Sequence, residues 1–334
     1  MRKRLNIPRA TTAIIFLILM YGGVGLFNPS FLEINNILLS LNSGVVYTVV
    51  AIGIAFVIIT GEIDVSVGAI LGLTSTISGI MVRDGHTALA FIAPLIVGTL
   101  IGVVNGFGVN YLQIPSIIMT LGTNGIVRGL IYVYTEGKWV ENLPFAFKQL
   151  CQIKFLDTFT FFYLFALFLM LLICILMAKT RRGQYFRAVG DNPDGANLLG
   201  IPVKGTKMVA FILSGLFSSI GGIMYASRVG FITPIAGMGY EMKVIAACVL
   251  GGISLSGGVG SMVGATVGAA IMASLSRVLV FLGFPSDYDN TITGILLILI
   301  VVSDSLIHRN SAERMRKQRL AAKVIHPEPS TERV

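Results

Sequence analysis

Long apolar runs and short polar breaks alternate almost from end to end of the chain. A spanning helix needs about 20 apolar residues. Runs fit for that role cover 11–26, 37–60, 65–82, 88–111, 117–133, 159–177, 209–226, 244–255, 262–282 and 292–302. The breaks carry turn chemistry: Asn28-Pro29-Ser30 after the first run, Arg83-Asp84-Gly85-His86 after the third, Gln113-Ile114-Pro115-Ser116 after the fourth. The eighth run is short and ends in GGISLSGGVG. The pattern predicts an all-α integral membrane protein with about ten transmembrane helices spread over 11–305. A short N-terminus, 1–10, precedes them. A basic and then Pro/Glu-rich tail, 306–334, follows and is expected to be partly disordered.

Composition agrees. The 334 residues are 54% hydrophobic and only 12% charged, about half the charge of a soluble domain. The net charge of +9 does not point to nucleic acid, because the basic residues flank apolar spans. Four lie at the N-terminus, six between 179 and 207 and seven in the tail, seventeen of the 25 in all. The positive-inside rule therefore puts both termini and the 179–207 loop in the cytoplasm, and the loop 135–157 outside. MRKR before an apolar run resembles a signal peptide, but no convincing small-residue cleavage site follows, so an uncleaved first span is expected. Cys151, Cys174 and Cys248 have no paired spacing, and no metal site is expected.

The one long polar stretch between spans, 179–205, contains its own helix signals. Asn192 is an N-cap and Pro193 stands at N1. Asp194 suits the first turn, and Gly200 with Pro202 stops the helix. Ala196, Leu198 and Leu199 are left to pack on something. A helix of two turns is marginal without a docking surface. It is either a solvated turn or a docking element for a cytoplasmic partner.

Polar groups inside spans need a reason. Thr120, Asn124 and Arg128 recur at i, i+4, i+8 and form one stripe, facing either a bundle interior or, for Arg128, the outer interface by snorkelling. Asn42 lies within the second run and is expected, with Asp64, Ser66, Thr120, Asn124 and Arg128, to line a path for a polar solute. Glu62, Asp64 and Ser66 mark the break before the third, where Asp64 either caps the next helix or meets a polar solute or a proton. Glu241 and Lys243 are expected to pair with each other at the surface, and Arg228, Asp287 and Asp289 to lie in outer loops. Gly98, Gly102 and Gly106, and likewise Gly260, Gly264 and Gly268, are spaced for close helix packing. VGAILGLT at 67–74 echoes VGSMVGAT at 259–266, which is either an internal duplication or a chance match between glycine-rich spans.

No G-x-x-x-x-G-K-[ST] occurs, so the chain is not its own ATPase. No nucleophile elbow or His-Glu pair supports a hydrolase. Three readings remain: a permease driven by a separate ATPase, a proton-coupled carrier using Glu62 or Asp64, and a membrane scaffold recruiting a partner through 179–207.

GEIDVSVG at 61–68, IPSIIMTLGT at 114–123, GDNPDGANLLGI at 190–201 and EMKVIAACVLGGISLSGGVGSMVGA at 241–265 resemble the permeases of ribose-type ABC sugar importers. The likeness runs over about 12–305. EGKWVENLP at 136–144 most resembles the autoinducer-2 branch, with rhamnose and other monosaccharide branches close by. Glu62 departs from that branch, which often has a non-acidic residue there. The resemblance implies a bacterial inner-membrane protein that carries a small sugar-like solute. It implies a periplasmic binding protein, a second permease subunit and a cytoplasmic ATPase pair that binds ATP and Mg. It also gives Asn192 to Gly200 the role of contacting that ATPase.

Overall fold

A computed structural model describes residues 9–155, 158–285, 288–299 and 301–302. Asp287 and the tail 306–334 lie outside the described residues, as does all but Arg9 and Ala10 of the N-terminal segment. The helices in chain order are α1 (Arg9–Phe27), α2 (Ile34–Ser43), α3 (Val45–Ile59), α4 (Val67–Arg83), α5 (Thr87–Asn110), α6 (Ser116–Thr135), α7 (Phe145–Gln149), α8 (Phe161–Lys179), α9 (Arg181–Asp191), α10 (Pro193–Leu198), α11 (Val203–Val229), α12 (Tyr240–Leu250), α13 (Met262–Phe281) and α14 (Tyr288–Leu299). Two short antiparallel strands, β1 (Lys154–Phe155) and β2 (Phe159–Thr160), close the segment before α8.

Five of these helices, α5, α6, α8, α11 and α13, are long and apolar enough to cross a bilayer singly. The chain is an all-α membrane protein. α5 shows how the two environments are sorted. Its Ile92, Ile96, Leu100 and Val104 form an exposed apolar stripe, and its Gly98, Gly102 and Gly106 are turned inward against α11. A Cβ at Gly98 would strike Ser219 and the Gly215 carbonyl, and one at Gly102 the Phe211 carbonyl. Lipid supplies no hydrophobic drive between helices, so close backbone approach is what holds such a pair. α11 packs on α3, α4 and α5 and is the post of the bundle. All of α3 except Tyr47 is buried beside it.

Several expected boundaries shift. The run 37–60 is two helices, α2 and α3, bent by 45° at Gly44. A Cβ at Gly44 would come within 2.8 Å of Ala273 Cβ, so the bend follows the surface of α13. Gly260 is not on the helix of Gly264 and Gly268, because Ser261 caps α13 through Gly264 N–H at 3.5 Å. The eighth run gives α12, 11 residues long. At 1.5 Å per residue it spans roughly half of a 30 Å hydrocarbon core. Its first turn lies inside the bundle: Tyr240 stacks on Tyr47 at 4.6 Å, and Glu241 lies against Gly68 near the start of α4. The irregular segment 230–239 precedes α12. Non-helical backbone at this depth is tolerated when protein surrounds it.

Candidate functional site

Where α3 ends, the chain makes an extended break of six residues, Gly61 to Ser66, before α4 begins. Asp64 sits in it, fully buried. It does not cap α4; Ser66 holds that position. Instead Asp64 Oδ1 accepts from Ser66 N–H at 2.9 Å and Ser66 Oγ at 2.6 Å, and Oδ2 accepts from Ser214 Oγ on α11 at 2.7 Å. A buried carboxylate without partners would cost several kcal/mol, and these three donors offset that cost. Glu62, by contrast, reaches the start of α11, where Lys207 Nζ meets its Oε1 at 2.6 Å. Ser214 lies seven residues beyond Lys207, so Asp64 is about 10 Å further along α11 than that ion pair.

The polar stripe of α6 closes on the same break. Thr120 Oγ1 accepts from Val65 N–H at 3.1 Å, and Asn124 Nδ2 donates to Val65 O at 2.9 Å. From α5, Asn105 Nδ2 donates to Ser66 Oγ at 2.9 Å and its Oδ1 accepts from Thr123 Oγ1 at 2.6 Å. Asp64, Ser66, Thr120 and Asn124 thus form one cluster between α4, α5, α6 and α11. Asn105, Thr123 and Ser214 are members that sequence reasoning missed. Asn105 lies between Gly102 and Gly106 on the buried face of α5, which was the available signal.

Arg128 continues the stripe one turn on. It turns inward, and Nη1 donates to Ala236 O at 2.5 Å in the irregular segment before α12. Asn42 is elsewhere: its Oδ1 accepts from Thr160 N–H at 3.1 Å and Thr160 Oγ1 at 3.0 Å, pinning α2 to β2. Glu241 and Lys243 do not pair. Lys243 Nζ meets Asp289 Oδ2 on α14 at 2.5 Å, and Ser276 Oγ donates to the same oxygen at 2.6 Å.

The second candidate region lies at the end of α8. Thr180 caps α9, its Oγ1 accepting from Gly183 N–H at 3.0 Å. The sequence pattern had not revealed this helix, because its basic residues hid an apolar face of Phe186 and Val189 that is buried. Asn192 then caps α10 through Gly195 N–H at 2.9 Å, with Pro193 at N1. Asp194 occupies the first turn, Ala196 is buried, and Gly200 has φ +76°. Leu198 and Leu199 are 88% and 82% exposed. The end of α9 is bound tightly to the bundle. A Cβ at Gly190 would collide with the Ile59 carbonyl and stand 2.5 Å from Gly258 N, while Gly258 N–H donates to Ile59 O at 2.9 Å. Asp64 lies five residues beyond Ile59, so the two candidate regions are joined by a short stretch of main chain, exposed at Gly61 and half-buried at Glu62 and Ile63.

Apolar helices around a buried hydroxyl, amide and carboxylate cluster, with an exposed apolar tip on a short inter-span helix, define a membrane permease. The chain belongs to the family described as branched-chain amino acid transport system / permease component, whose model matches residues 36–301. It is similar to the autoinducer 2 import system permease protein LsrC of Salmonella typhi, 37% identical over 98% of this chain and 95% of that protein. The protein of the same name from Escherichia coli K12 is 37% identical over 99% and 96%. That of Salmonella paratyphi B is 38% identical over 96% and 93%. No solved structure matches the chain. The chain is therefore a multi-pass inner-membrane permease subunit of an ABC importer, working with a separate ATPase and a binding protein. That assignment sets aside the proton-coupled carrier and the scaffold.

Proposed function

We propose that this subunit carries a small sugar-like solute, autoinducer 2 or a monosaccharide such as rhamnose or ribose, into the cytoplasm past the Asp64 cluster. The observation that carries the reading is the near-full-length similarity to autoinducer 2 import permeases. Solute enters from a periplasmic binding protein, and a second permease subunit, a related chain or a second copy, completes the pathway. Ten crossings with both termini cytoplasmic follow if α1, the bent α2–α3 pair, α4, α5, α6, α8, α11, α12, α13 and α14 each count once. The positive charge at 179–207 supports this orientation. The echo of VGAILGLT at 67–74 in VGSMVGAT at 259–266 supports an internal duplication.

Asn192, Pro193, Asp194, Ala196 and Gly200 shape a helix that offers Leu198 and Leu199 to the ATPase, which binds ATP and Mg. Closure of the ATPase pair pushes α10, and the Gly190–Ile59 contact passes the displacement to residues 60–66. The test is uptake of labelled autoinducer 2, rhamnose and ribose by cells expressing the chain with its ATPase and binding protein in place of their own systems. Uptake of at least one, driven by ATP and insensitive to a protonophore, is expected. Leu198→Asp places a charge in the apolar contact and should abolish uptake and ATPase co-purification at normal membrane abundance. Normal values of both for that variant would return α10 to a solvated turn.

A further inference from the structure

An acidic and a basic side chain lie along one glycine face of α4 without closing a pair. Glu241, in the first turn of α12, has Oε1 near Gly239 N–H at 3.3 Å, while its Oε2 is buried with no hydrogen-bond partner. Arg128 uses Nη1 on Ala236 O, and its Nη2 is likewise buried and unpartnered. Among the described residues neither belongs to an ion pair. Both lie against the side-chain-free face of α4. Glu241 Oε2 lies against Gly68, and Arg128 Nη1 is 3.2 Å from where a Cβ on Gly72 would be. Gly68 and Gly72 are one turn apart, so the two groups are offset by about 6 Å along the helix.

A buried charge with an empty hydrogen-bonding position costs several kcal/mol. Such a cost persists where something transient meets it. Two features put these atoms beside the proposed route: α12 begins after the irregular segment 230–239, and Asn124, one turn from Arg128, leads to the polar cluster around Asp64. We propose that Glu241 and Arg128 form a contact point for the transported solute. Glu241 Oε2 accepts from one hydroxyl of a small neutral polyol, and Arg128 Nη2 donates to a neighbouring hydroxyl or carbonyl oxygen. An anion would be repelled by Glu241 and a cation by Arg128. A zwitterionic amino acid satisfies the same two atoms, but the next groups along the path, Asn124, Thr120, Ser66 and the Asp64 carboxylate, include no cation for an amino acid's carboxylate and match hydroxyls. The inference rests on the importer reading above.

The experiment uses the whole complex, permease with its ATPase and binding protein in proteoliposomes, and labelled autoinducer 2, rhamnose, ribose and leucine as probes. Wild type takes up a sugar-like probe and not leucine. Glu241→Gln lowers that uptake about tenfold at saturating binding protein, the worth of one charged hydrogen bond, and Glu241→Asp recovers part of it. Arg128→Lys keeps the charge but loses the fork and gives an intermediate rate; it decides the matter if Glu241→Gln does not accumulate. Leu130→Cys, on the exposed side of α6, transports normally. Sugar-like uptake by Glu241→Gln within twofold of wild type, or losses that only track membrane abundance, overturn the solute contact and leave the importer reading intact. Leucine uptake in place of sugar overturns the polyol assignment. Uptake of none of the probes by wild type overturns the importer reading and this site with it.

Discussion

The segment between α3 and α4 and the segment between α12 and α13 lead into similar stretches, VGAILGLT and VGSMVGAT, and they touch each other. Their interiors differ. The first is held by side chains: Asp64 to Ser66 and Ser214, and the main chain of Val65 to Thr120 and Asn124. The second is closed mainly by its own main chain, with Ser254 N–H donating to Val259 O at 3.0 Å and Gly257 N–H to Ser254 O at 3.1 Å, helped by Ser256 N–H to Ser254 Oγ and Arg187 Nη2 to Gly260 O, both at 3.3 Å. It then offers Gly258 N–H to Ile59 at the root of the first. A glycine-lined turn brings main chains together at little side-chain cost. A carboxylate-lined turn gives a passing solute something to bond. On the function proposed above, one break packs and the other meets the solute, and the end of α9 is wedged where they meet.

The largest effect is expected at that wedge. Gly190→Val puts a branched side chain into the Ile59 carbonyl and Gly258, backbone that cannot yield as a side-chain tip would. Overpacking of this kind costs about 3 kcal/mol or more. Membrane abundance and uptake should both collapse, as read by immunoblot and transport. Near-normal transport would mean that α9 does not bear on the breaks.

Asp64→Asn separates chemistry from packing within the first break. The amide keeps the volume, its oxygen can still accept from Ser66 and its Nδ2 can donate to Ser214 Oγ, so abundance should stay within about twofold of wild type. Uptake should fall about tenfold or more, because the charged acceptor is gone. A fall in abundance equal to the fall in uptake would make Asp64 a packing group and erase the contrast between the breaks.

Gly258→Ala probes the second break. Its φ of +74° is strained for any residue with a Cβ, by about 1–2 kcal/mol, and the added atom would stand 2.8 Å from Asp191 Cα. The melting temperature of the purified complex should drop by a few degrees, with uptake reduced several-fold and solute preference unchanged. A changed preference would assign this break a part in recognition.

How much of this arrangement was legible depends on its range in the chain. The α10 cap, Asn192 with Pro193, is a local device, and sequence places it correctly. The i, i+4, i+8 stripe of α6 needs only helical periodicity. What stayed hidden depends on three-dimensional approach. Ser214 is 150 residues from Asp64, and no spacing rule links them. Glu241 next to Lys243 suggested a local pair, yet α12 starts at depth and sends Lys243 to Asp289 and Glu241 to the glycines of α4. Asn42 inside an apolar run suggested a lining residue, whereas the bend at Gly44 turns it to Thr160. The α9 helix was obscured because charge dominates its composition while only a few positions carry its buried face.

The smallest effect is expected two residues from one of the largest. Glu62 and Asp64 share a break and an acidic group, but Glu62 meets Lys207 where both side chains keep 17–18% of their exposure. Water at that end of the bundle can still reach either group left behind, so the pair lies between an exposed one, worth about 0–1 kcal/mol, and a dry one. In Glu62→Gln the amide oxygen still accepts from Lys207 Nζ, so the tie between the break and the start of α11 is weakened rather than cut. Uptake should remain within about twofold of wild type, and raising the salt concentration, which screens the wild-type pair, should narrow even that difference. Asp64→Asn, deeper and dry, should show no such relief by salt. If Glu62→Gln instead abolished uptake as Asp64→Asn does, the two carboxylates would act as one unit. The contrast would then lie between the whole segment 60–66 and the glycine turn, not between its shallow and its buried acid.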